Sequence, residues 1–259
     1  MSDSAQDPPV IEFRNVAYRF SGGMELLAGL DLQVRRGETL VLLGRSGSGK
    51  TTSLKLINGL VTPSQGEVLV EGQATTQWNL IRLRRGIGYV IQDAGLFPHF
   101  TVERNIGLVP TIEEWPADKI KKRVAELLQT VGLEPDLSSR YPRELSGGQR
   151  QRVGVARALA ADPPILLMDE PFGALDPITR AELQREFLAL QKRLRKTVVF
   201  VTHDLREALL LGTRVALMEA GKLVTALPTG EFTKSPDPLV QKYLDAFGAA
   251  PSNGNRDSA

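Results

Sequence analysis

A glycine-rich segment, GRSGSGKT at residues 44–51, has the composition and spacing of a phosphate-binding loop. It follows the apolar run 40–43 and precedes a helical pattern, which is the context that such loops require. Backbone N–H groups and the helix N-terminus would face the phosphates, with Lys50 on the β- and γ-phosphates, Thr51 on Mg²⁺ and Thr52 on a phosphate oxygen. The alternative is an ordinary glycine-rich turn that caps a helix. The predicted nucleotide-binding residues here are Gly44, Arg45, Ser46, Gly47, Ser48, Gly49, Lys50, Thr51 and Thr52.

Two adjacent carboxylates, Asp169 and Glu170, follow the apolar run 165–168. If that run is a buried strand, it delivers both side chains to the carboxyl edge of a sheet, where ligands bind in open α/β proteins. Asp169 would then hold the Mg²⁺ shell, and Glu170 would orient or deprotonate an attacking water. A turn that ends a strand is the alternative, since Asp, Glu and Pro are common there. The phosphate loop upstream favours catalysis.

A second glycine-rich segment, LSGGQ at residues 145–149, occurs later in the chain. Its glycines leave Ser146 and the backbone of Gly147 and Gly148 free to face phosphate oxygens at the start of a helix. This signature segment is therefore a second candidate for contact with a nucleotide.

Short apolar runs alternate with helical patterns, which indicates an α/β sheet covered on both faces. Apolar residues at helical spacing predict amphipathic helices at 120–131, ended by Gly132, and at 183–194. A mainly helical segment begins at Gln92 and interrupts the sheet pattern. The residues at 248–259 lack apolar content and are predicted to form a disordered tail. The predicted strands are 40–43, 87–91, 165–168, 198–201 and 215–218.

The composition excludes several classes of protein. With 32 Lys+Arg and 30 Asp+Glu, the formal net charge of +2 gives no case for a nucleic-acid partner, which would need a clustered basic face. Cysteine is absent, so disulfides and thiolate metal sites are excluded. The polar start predicts no signal peptide, and no apolar run approaches the roughly 18 residues that span a bilayer. At a membrane, we expect another chain to supply the pore.

The two glycine-rich segments, in this order and followed by Asp169 and Glu170, resemble those of the nucleotide-binding domain of an ABC ATPase. The resemblance covers nearly all of residues 10–247. It implies an α/β fold of the P-loop NTPase class with a mixed sheet core, an antiparallel β edge and a helical subdomain inserted at about 92–160 in a domain at 1–247. It also implies ATP and Mg²⁺ as cofactors.

The resemblance assigns further site residues. His203 would contact the γ-phosphate and Glu170, although a histidine read alone is more often structural. Gln92 would sense Mg²⁺ and water, whereas its plain interpretation is a polar residue that ends a strand. Arg45 stands where the family commonly has Pro or Ala. The implied catalytic residues are Glu170, His203 and Gln92, and the implied metal-site residues are Thr51, Gln92 and Asp169.

Two further positions keep an alternative. Phe20 matches the aromatic residue that stacks on adenine in the family, with Tyr18 as the rival, and either could instead belong to the core. Asp176 matches the D-loop that crosses to a partner subunit. It is also a good helix N-cap, because Pro177 follows it, and it can serve in both roles.

In ABC proteins the signature segment lies too far from its own phosphate loop and completes the site of a second copy. The resemblance therefore implies a head-to-tail dimer with two ATP molecules at its interface. Binding of ATP would close this dimer and hydrolysis would open it. The residues that would act in trans are Ser146, Gly147, Gly148 and Gln149.

Stretches such as GYVIQ, GLFPHFTV and RYPRELSGGQRQRV look like those of bacterial importers, and most resemble the ATPases for osmoprotectants and quaternary amines such as glycine betaine, carnitine or choline. The segment QDAGLFPHF departs from that group at Asp93 and Ala94. The implied partners are a second copy, transmembrane permease subunits and, indirectly, a periplasmic or extracellular solute-binding protein, at the cytoplasmic face of the plasma membrane. The alternatives are an importer ATPase for an amino acid, sulfonate or polyamine, and a soluble ABC ATPase outside transport.

Overall fold

A computed structural model describes residues 8–20 and 22–247, and the predicted tail at 248–259 lies outside them. Four strands form an antiparallel sheet, namely β1 (Ile11–Arg19), β2 (Glu25–Val34), β4 (Gln65–Val70) and β5 (Gln73–Ala74). Their order in the sheet is β2, β1, β4, β5. Asn15, with φ of 47°, interrupts the pairing of β1 with both of its neighbours.

A six-stranded sheet forms the centre of the fold, with β3 (Thr39–Gly44), β6 (Ile87–Val90), β7 (Ile165–Asp169), β8 (Thr197–Thr202), β9 (Arg214–Glu219) and β10 (Lys222–Pro228). Its order is β10, β9, β3, β8, β7, β6, and only β10 is antiparallel to its neighbour. The five predicted strands are therefore confirmed, each to within one residue at either end. Because the other five strands run parallel, their carboxyl ends meet at one edge of the sheet.

Both faces of the central sheet are covered, which explains why its strands are uniformly apolar. Along β3, Leu40 and Leu42 belong to one buried cluster, and Val41 and Leu43 belong to the other. The first cluster also contains residues of the antiparallel sheet and of the helix after β3, whereas the second contains residues of the later helices.

Helices connect the strands. The predicted helices at 120–131 and 183–194 are confirmed, and Gly132 adopts φ of 66° where the first one ends. Among the described helices, none has the length and apolar character needed to cross a membrane. The α-helices are α1 (Lys50–Ile57), α2 (Leu80–Arg85), α3 (Val102–Ile106), α4 (Leu108–Ile112), α5 (Ala117–Thr130), α6 (Gly147–Leu159), α7 (Pro177–Leu194), α8 (Leu205–Leu211), α9 (Thr229–Phe232) and α10 (Pro238–Ala246).

Candidate functional site

The glycine-rich segment at 44–51 joins the end of β3 to the start of α1. Gly49 is the N-cap of α1 with φ of 98°, and no side chain caps that end of the helix. A Cβ atom at Gly49 would lie 2.4 Å from Leu27 Cδ2, so both the backbone conformation and the space require glycine. The first N–H groups of α1 therefore remain available to an anion, as in other phosphate loops.

Lys50 is buried directly behind this loop, with 5% of its surface exposed. Its Nζ donates hydrogen bonds to Gly44 O and Arg45 O, both at 2.8 Å. Burial lowers the pKa of the Lys50 ammonium, whereas the carboxylates of Glu170 and Asp169 act in the opposite direction. The loop thus holds a cation next to Asp169, the predicted metal-site carboxylate, and Glu170, the predicted catalytic one.

Asp169, at the end of β7, accepts a hydrogen bond from one hydroxyl group and lies beside another. Thr51 Oγ1 donates to Asp169 Oδ1 at 2.9 Å. The Tyr89 hydroxyl lies beside the Asp169 side chain, and burial together with the Asp169 charge raises the pKa of Tyr89. Tyr89 of β6 pairs with Leu167 of β7. Asp169 follows Leu167 by two residues and lies on the same face of the sheet, so the long side chain of Tyr89 reaches Asp169 diagonally across the two strands. Sequence reasoning missed Tyr89, because only the register of β6 against β7 brings it to the carboxylate.

Thr51 and Asp169 form a set of hard oxygen donors that fits Mg²⁺. Burial raises the pKa of the Asp169 carboxyl, and the Thr51 hydrogen bond opposes that rise. Within the described residues, no group of three or more acidic, histidine or cysteine side chains could hold a metal ion alone. Two such oxygens can serve Mg²⁺, which keeps several waters and takes one or two protein oxygens together with substrate phosphates.

Glu170 and His203 meet at the same edge of the sheet. Glu170 Oε2 lies 3.1 Å from His203 Nδ1. The backbone of Glu170 is left-handed, with φ of 44°, and its N–H donates to Val201 O in β8. A conformation that non-glycine residues rarely adopt is thus fixed by the neighbouring strand, and it directs the carboxylate toward the histidine. Both side chains line a cleft of about 500 Å³ together with residues 44–46.

A buried hydrogen-bond network supports the turn that carries His203. Thr202 Oγ1 donates to Glu207 Oε2 at 2.6 Å and accepts from Asp204 N at 3.0 Å. Gln184 Nε2 of α7 donates to Glu207 Oε1 at 3.0 Å. Burial raises the pKa of the Glu207 carboxyl, and the Thr202 hydrogen bond opposes this rise. The sequence offered no signal for Glu207, which looks like one of many helical glutamates.

Gln92 forms no hydrogen bond with Asp169 or Glu170. It is exposed, and among the described residues it has no hydrogen-bond partner. The segment that follows is unusual, because residues 93–95 have φ of 60°, 58° and 50°. Arg157 anchors this segment by donating to Ala94 O at 2.7 Å and Gly95 O at 2.8 Å. The catalytic and metal-sensing roles of Gln92 stay predictions.

The signature segment at 145–149 begins α6 on the part of the chain between β6 and β7. Ser146 and Gln149 form a capping box, in which Gln149 N donates to Ser146 Oγ at 3.2 Å and Ser146 N donates to Gln149 Oε1 at 2.9 Å. Ser146 and Gly147 are exposed. None of Ser146, Gly147, Gly148 and Gln149 lines the cleft at the phosphate loop. The signature segment therefore lies outside the phosphate-loop cleft, although Gly147 lines a second pocket together with Glu170.

Asp176 is the N-cap of α7. Its Oδ1 accepts hydrogen bonds from Ile178 N and Thr179 N, both at 3.1 Å, and Pro177 occupies the first helical position. The Thr179 side chain, followed by the backbone N–H groups of Thr179 and Ile178, holds the pKa of the Asp176 carboxyl below its usual range. The capping role is therefore confirmed, and the role at a subunit interface stays a prediction.

Phe20 is the more accessible of the two aromatic candidates for adenine stacking. It is 43% exposed, whereas Tyr18 packs against the buried cluster of the antiparallel sheet. The two rings contact each other edge to face, with centroids 5.6 Å apart. This arrangement leaves a Phe20 face open to a planar ligand and favours it over Tyr18.

Comparison with known proteins matches residues 27–173 to the family model described as ABC transporter. The chain is 48% identical over 236 residues to the glycine betaine/carnitine/choline transport ATP-binding protein OpuCA of Bacillus subtilis (strain 168), a match that covers 91% of this chain and 62% of OpuCA. It is 49% identical over 236 residues to the glycine betaine uptake system ATP-binding protein YehX of Escherichia coli (strain K12), covering 91% of this chain and 76% of YehX.

Among solved structures, the fold matches the dimeric post-hydrolysis state of the ATP-binding cassette MJ0796 bound to ADP and Pi. The TM-score is 0.75 at 34% sequence identity, and the match covers 85% of this chain and 98% of that cassette.

Proposed function

The chain belongs to the ABC transporter family, and from that premise we propose that it binds and hydrolyses ATP to power solute uptake through a membrane partner. One observation carries this proposal. The phosphate loop, the Thr51 and Asp169 oxygens and the Glu170 and His203 pair all lie at the carboxyl edge of the central sheet. The groups that would bind the nucleotide therefore lie beside the groups that would activate water.

The chemistry follows from the positions of these groups. Lys50 and the N-terminus of α1 bind the phosphates, and Glu170 accepts a proton from the attacking water as the bond to the leaving ADP oxygen breaks. His203 fixes the Glu170 carboxylate through the 3.1 Å contact. Mg²⁺, when bound, neutralises charge that develops on the phosphates, and Thr51, Asp169 and Gln92 would hold or sense it. The Phe20 ring would stack on the adenine.

Two copies are needed to complete each site in this proposal. The signature residues Ser146, Gly147, Gly148 and Gln149 lie outside the cleft of their own phosphate loop, and Ser146 and Gly147 are exposed. A second chain that approaches head to tail supplies them to the nucleotide. Support comes from the dimeric state of the MJ0796 cassette. Asp176, at the exposed start of α7, would lie at the same interface.

The proposed cargo is an osmoprotectant or quaternary amine, because relatives at 48% and 49% identity carry glycine betaine, carnitine and choline in their names. The chain spans less than two thirds of the length of OpuCA.

The proposed partners are transmembrane permease subunits and, through them, a solute-binding protein. This chain would lie at the cytoplasmic face of the plasma membrane, with the helical subdomain at about 92–160 docked on the permease subunits. An importer of another small solute is the second candidate.

The test combines purification and transport. The chain should co-purify from membranes with integral membrane subunits, and vesicles that contain the complex should take up glycine betaine only with internal ATP and Mg²⁺. A complex that takes up a sulfonate or an amino acid instead would favour the second candidate. Association with ribosomes or DNA, without a membrane subunit, would contradict transport altogether.

A further inference from the structure

Helix α7 contacts the turns that follow β7 and β8, the two strands that lead to Glu170 and His203. Asp169 of β7 pairs with Val201 of β8, so the sheet sets the positions of the strand ends. Glu170 and His203 each lie one residue beyond those ends, and the His203 side chain is 61% exposed. Because packing does not hold an exposed ring, the 3.1 Å contact between Glu170 and His203 depends on how the two turns are fixed.

Arg180 of α7 holds the turn after β7. Its Nε donates to Phe172 O at 3.2 Å, and its Nη2 donates to Leu175 O at 3.0 Å and to Gly173 O at 3.4 Å. Gly173 N in turn donates to Glu170 O at 3.1 Å. The guanidinium therefore pairs with three carbonyl groups of the loop that begins at Glu170, and it fixes that loop on α7.

Phe172 holds the same loop from the side of the core. Its buried ring contacts Phe187 of α7, with centroids 6.3 Å apart, and Phe200 of β8, with centroids 5.8 Å apart. The loop after Glu170 is thus packed between α7 and the strand that leads to His203. A shift of α7 against β8 would therefore move the loop.

Gln184, four residues after Arg180, holds the turn after β8 from the same side of the helix. Gln184 Nε2 donates to Glu207 Oε1 at 3.0 Å, and Glu207 Oε2 accepts from Thr202 Oγ1. Thr202 directly precedes His203. Glu207 is buried, so a carboxylate oxygen that lost its donor would remain without a partner there. Gln184 thus reaches the His203 turn through two hydrogen bonds.

The two contacts of α7 are also joined by charge. Burial raises the pKa of the Glu207 carboxyl, and the positive charge of Arg180 is among the groups that oppose this rise. Neither Arg180 nor Gln184 lines the cleft that holds Glu170 and His203. Any effect of these two residues on the reaction must therefore pass through the turns that they hold.

We propose that Arg180 and Gln184 are positioning residues for ATP hydrolysis, which set the Glu170 carboxylate and the His203 ring against each other from one helix. The proposal rests on the proposed hydrolysis, in which Glu170 accepts the proton of the attacking water. Substitutions at these two positions should slow the chemical step and leave nucleotide binding unchanged, because the groups that bind the phosphates belong to β3 and α1.

The first experiment measures kcat and nucleotide affinity separately in the full chain. Gln184→Glu places a second carboxylate against Glu207 and should lower kcat about tenfold, as expected when a hydrogen bond to a charged group is lost. The dissociation constant of ADP, measured by titration calorimetry, should not change. Gln129→Glu, at an exposed position of α5, adds the same charge and should retain wild-type kcat.

An exchange of the two groups should restore the rate. In Gln184→Glu combined with Glu207→Gln, the amide introduced at position 207 accepts from Thr202 and donates to the carboxylate introduced at position 184. The hydrogen bond between α7 and α8 is thus rebuilt with its polarity reversed. This double variant should recover kcat to within about twofold of the wild type, since no buried donor or acceptor is left unpaired.

Arg180→Lys tests the other contact. The substitution keeps the positive charge, but a single ammonium does not reproduce the fork geometry that serves three carbonyl groups. The value of kcat should fall about fivefold, again with unchanged ADP affinity. Arg185→Lys is the matched control on the same helix, because exposed Arg185 donates to Ala181 O within α7. It should retain wild-type kcat.

The second experiment follows the His203 ring by proton NMR without turnover. The chain has two histidines, so the imidazole signals of His203 can be assigned against those of exposed His99. Glu170→Gln should shift the His203 signals when α7 is unchanged. The shift should be much smaller in the Gln184→Glu background, where the contact is already lost. The His99 signals should stay constant in every variant.

An equal shift of the His203 signals in both backgrounds would overturn the positioning role of Gln184. An undiminished kcat in Gln184→Glu or in Arg180→Lys would remove that residue from the proposal. A rate that the exchange of groups does not restore would also overturn it. A wild-type chain that hydrolyses no ATP would instead contradict the proposed function, while the NMR shifts still decide the geometry. If Gln184→Glu fails to fold, Gln184→Ala removes the donor without added charge and replaces it in each measurement.

Discussion

His203 Nδ1 lies 3.1 Å from Glu170 Oε2, a contact between the ends of two neighbouring parallel strands. The Glu170 backbone is left-handed at φ of 44°, and its N–H is tied to Val201 O. The histidine thus meets a carboxylate whose direction is already fixed by the sheet. A mutation of Glu170 therefore changes the base itself, whereas a mutation of His203 changes only the contact that orients this base.

Glu170→Gln should bind ATP normally and lose turnover by about 10²- to 10⁴-fold, because the amide cannot accept the proton of the attacking water. The variant should accumulate as an ATP-bound dimer in size-exclusion chromatography. Glu231→Gln, at an exposed glutamate of α9, is the matched control and should retain wild-type turnover. Hydrolysis at the wild-type rate by Glu170→Gln would remove Glu170 from its proposed role.

Tyr89→Phe should raise the Mg²⁺ concentration needed for half-maximal hydrolysis by about threefold to tenfold, since Asp169 loses the hydroxyl group that lies beside it. The ring and its packing are kept, so the thermal midpoint should change little. A second measurement avoids turnover, namely the affinity for Mn²⁺ in the presence of ADP, followed by electron paramagnetic resonance. Unchanged affinity for both ions would show that the Thr51 contact alone orients Asp169.

The positions of these residues show what the sequence could predict. The runs 40–43 and 165–168 are confirmed as strands because burial on both faces makes them uniformly apolar. Strands β1 and β2 carried no such pattern, since exposed residues alternate with buried ones and Asn15 interrupts the pairing. The antiparallel sheet was therefore expected from family resemblance only.

The same limit applies within the site. Lys50, Asp169 and Glu170 belong to contiguous motifs, so spacing along the chain was enough to find them. Tyr89 reaches the site through the register of β6 against β7. A single polar residue in a buried element carries no signal for such contacts, because the contact depends on the tertiary arrangement.

Glu207→Gln should remove part of the pH dependence of stability. Burial raises the folded-state pKa of Glu207 above its unfolded value, so the folded protein binds the proton more tightly. The free energy of unfolding should therefore fall as pH rises from the unfolded-state pKa to the folded-state pKa, by about 1.4 kcal/mol for each pH unit between them. Urea unfolding at a series of pH values measures this. The wild type should show this fall and the variant should lack it, whereas parallel profiles would contradict the assignment.

Chains with complementary defects should restore one site when they are mixed. Lys50→Ala disables the phosphate loop, and Ser146→Arg blocks the signature segment of its own chain, so each variant alone should be inactive. In an equal mixture, half of the dimers pair the two variants, and each mixed dimer has one complete site, so about a quarter of wild-type hydrolysis should return. A mixture no more active than its two components would contradict completion of the site by a second copy.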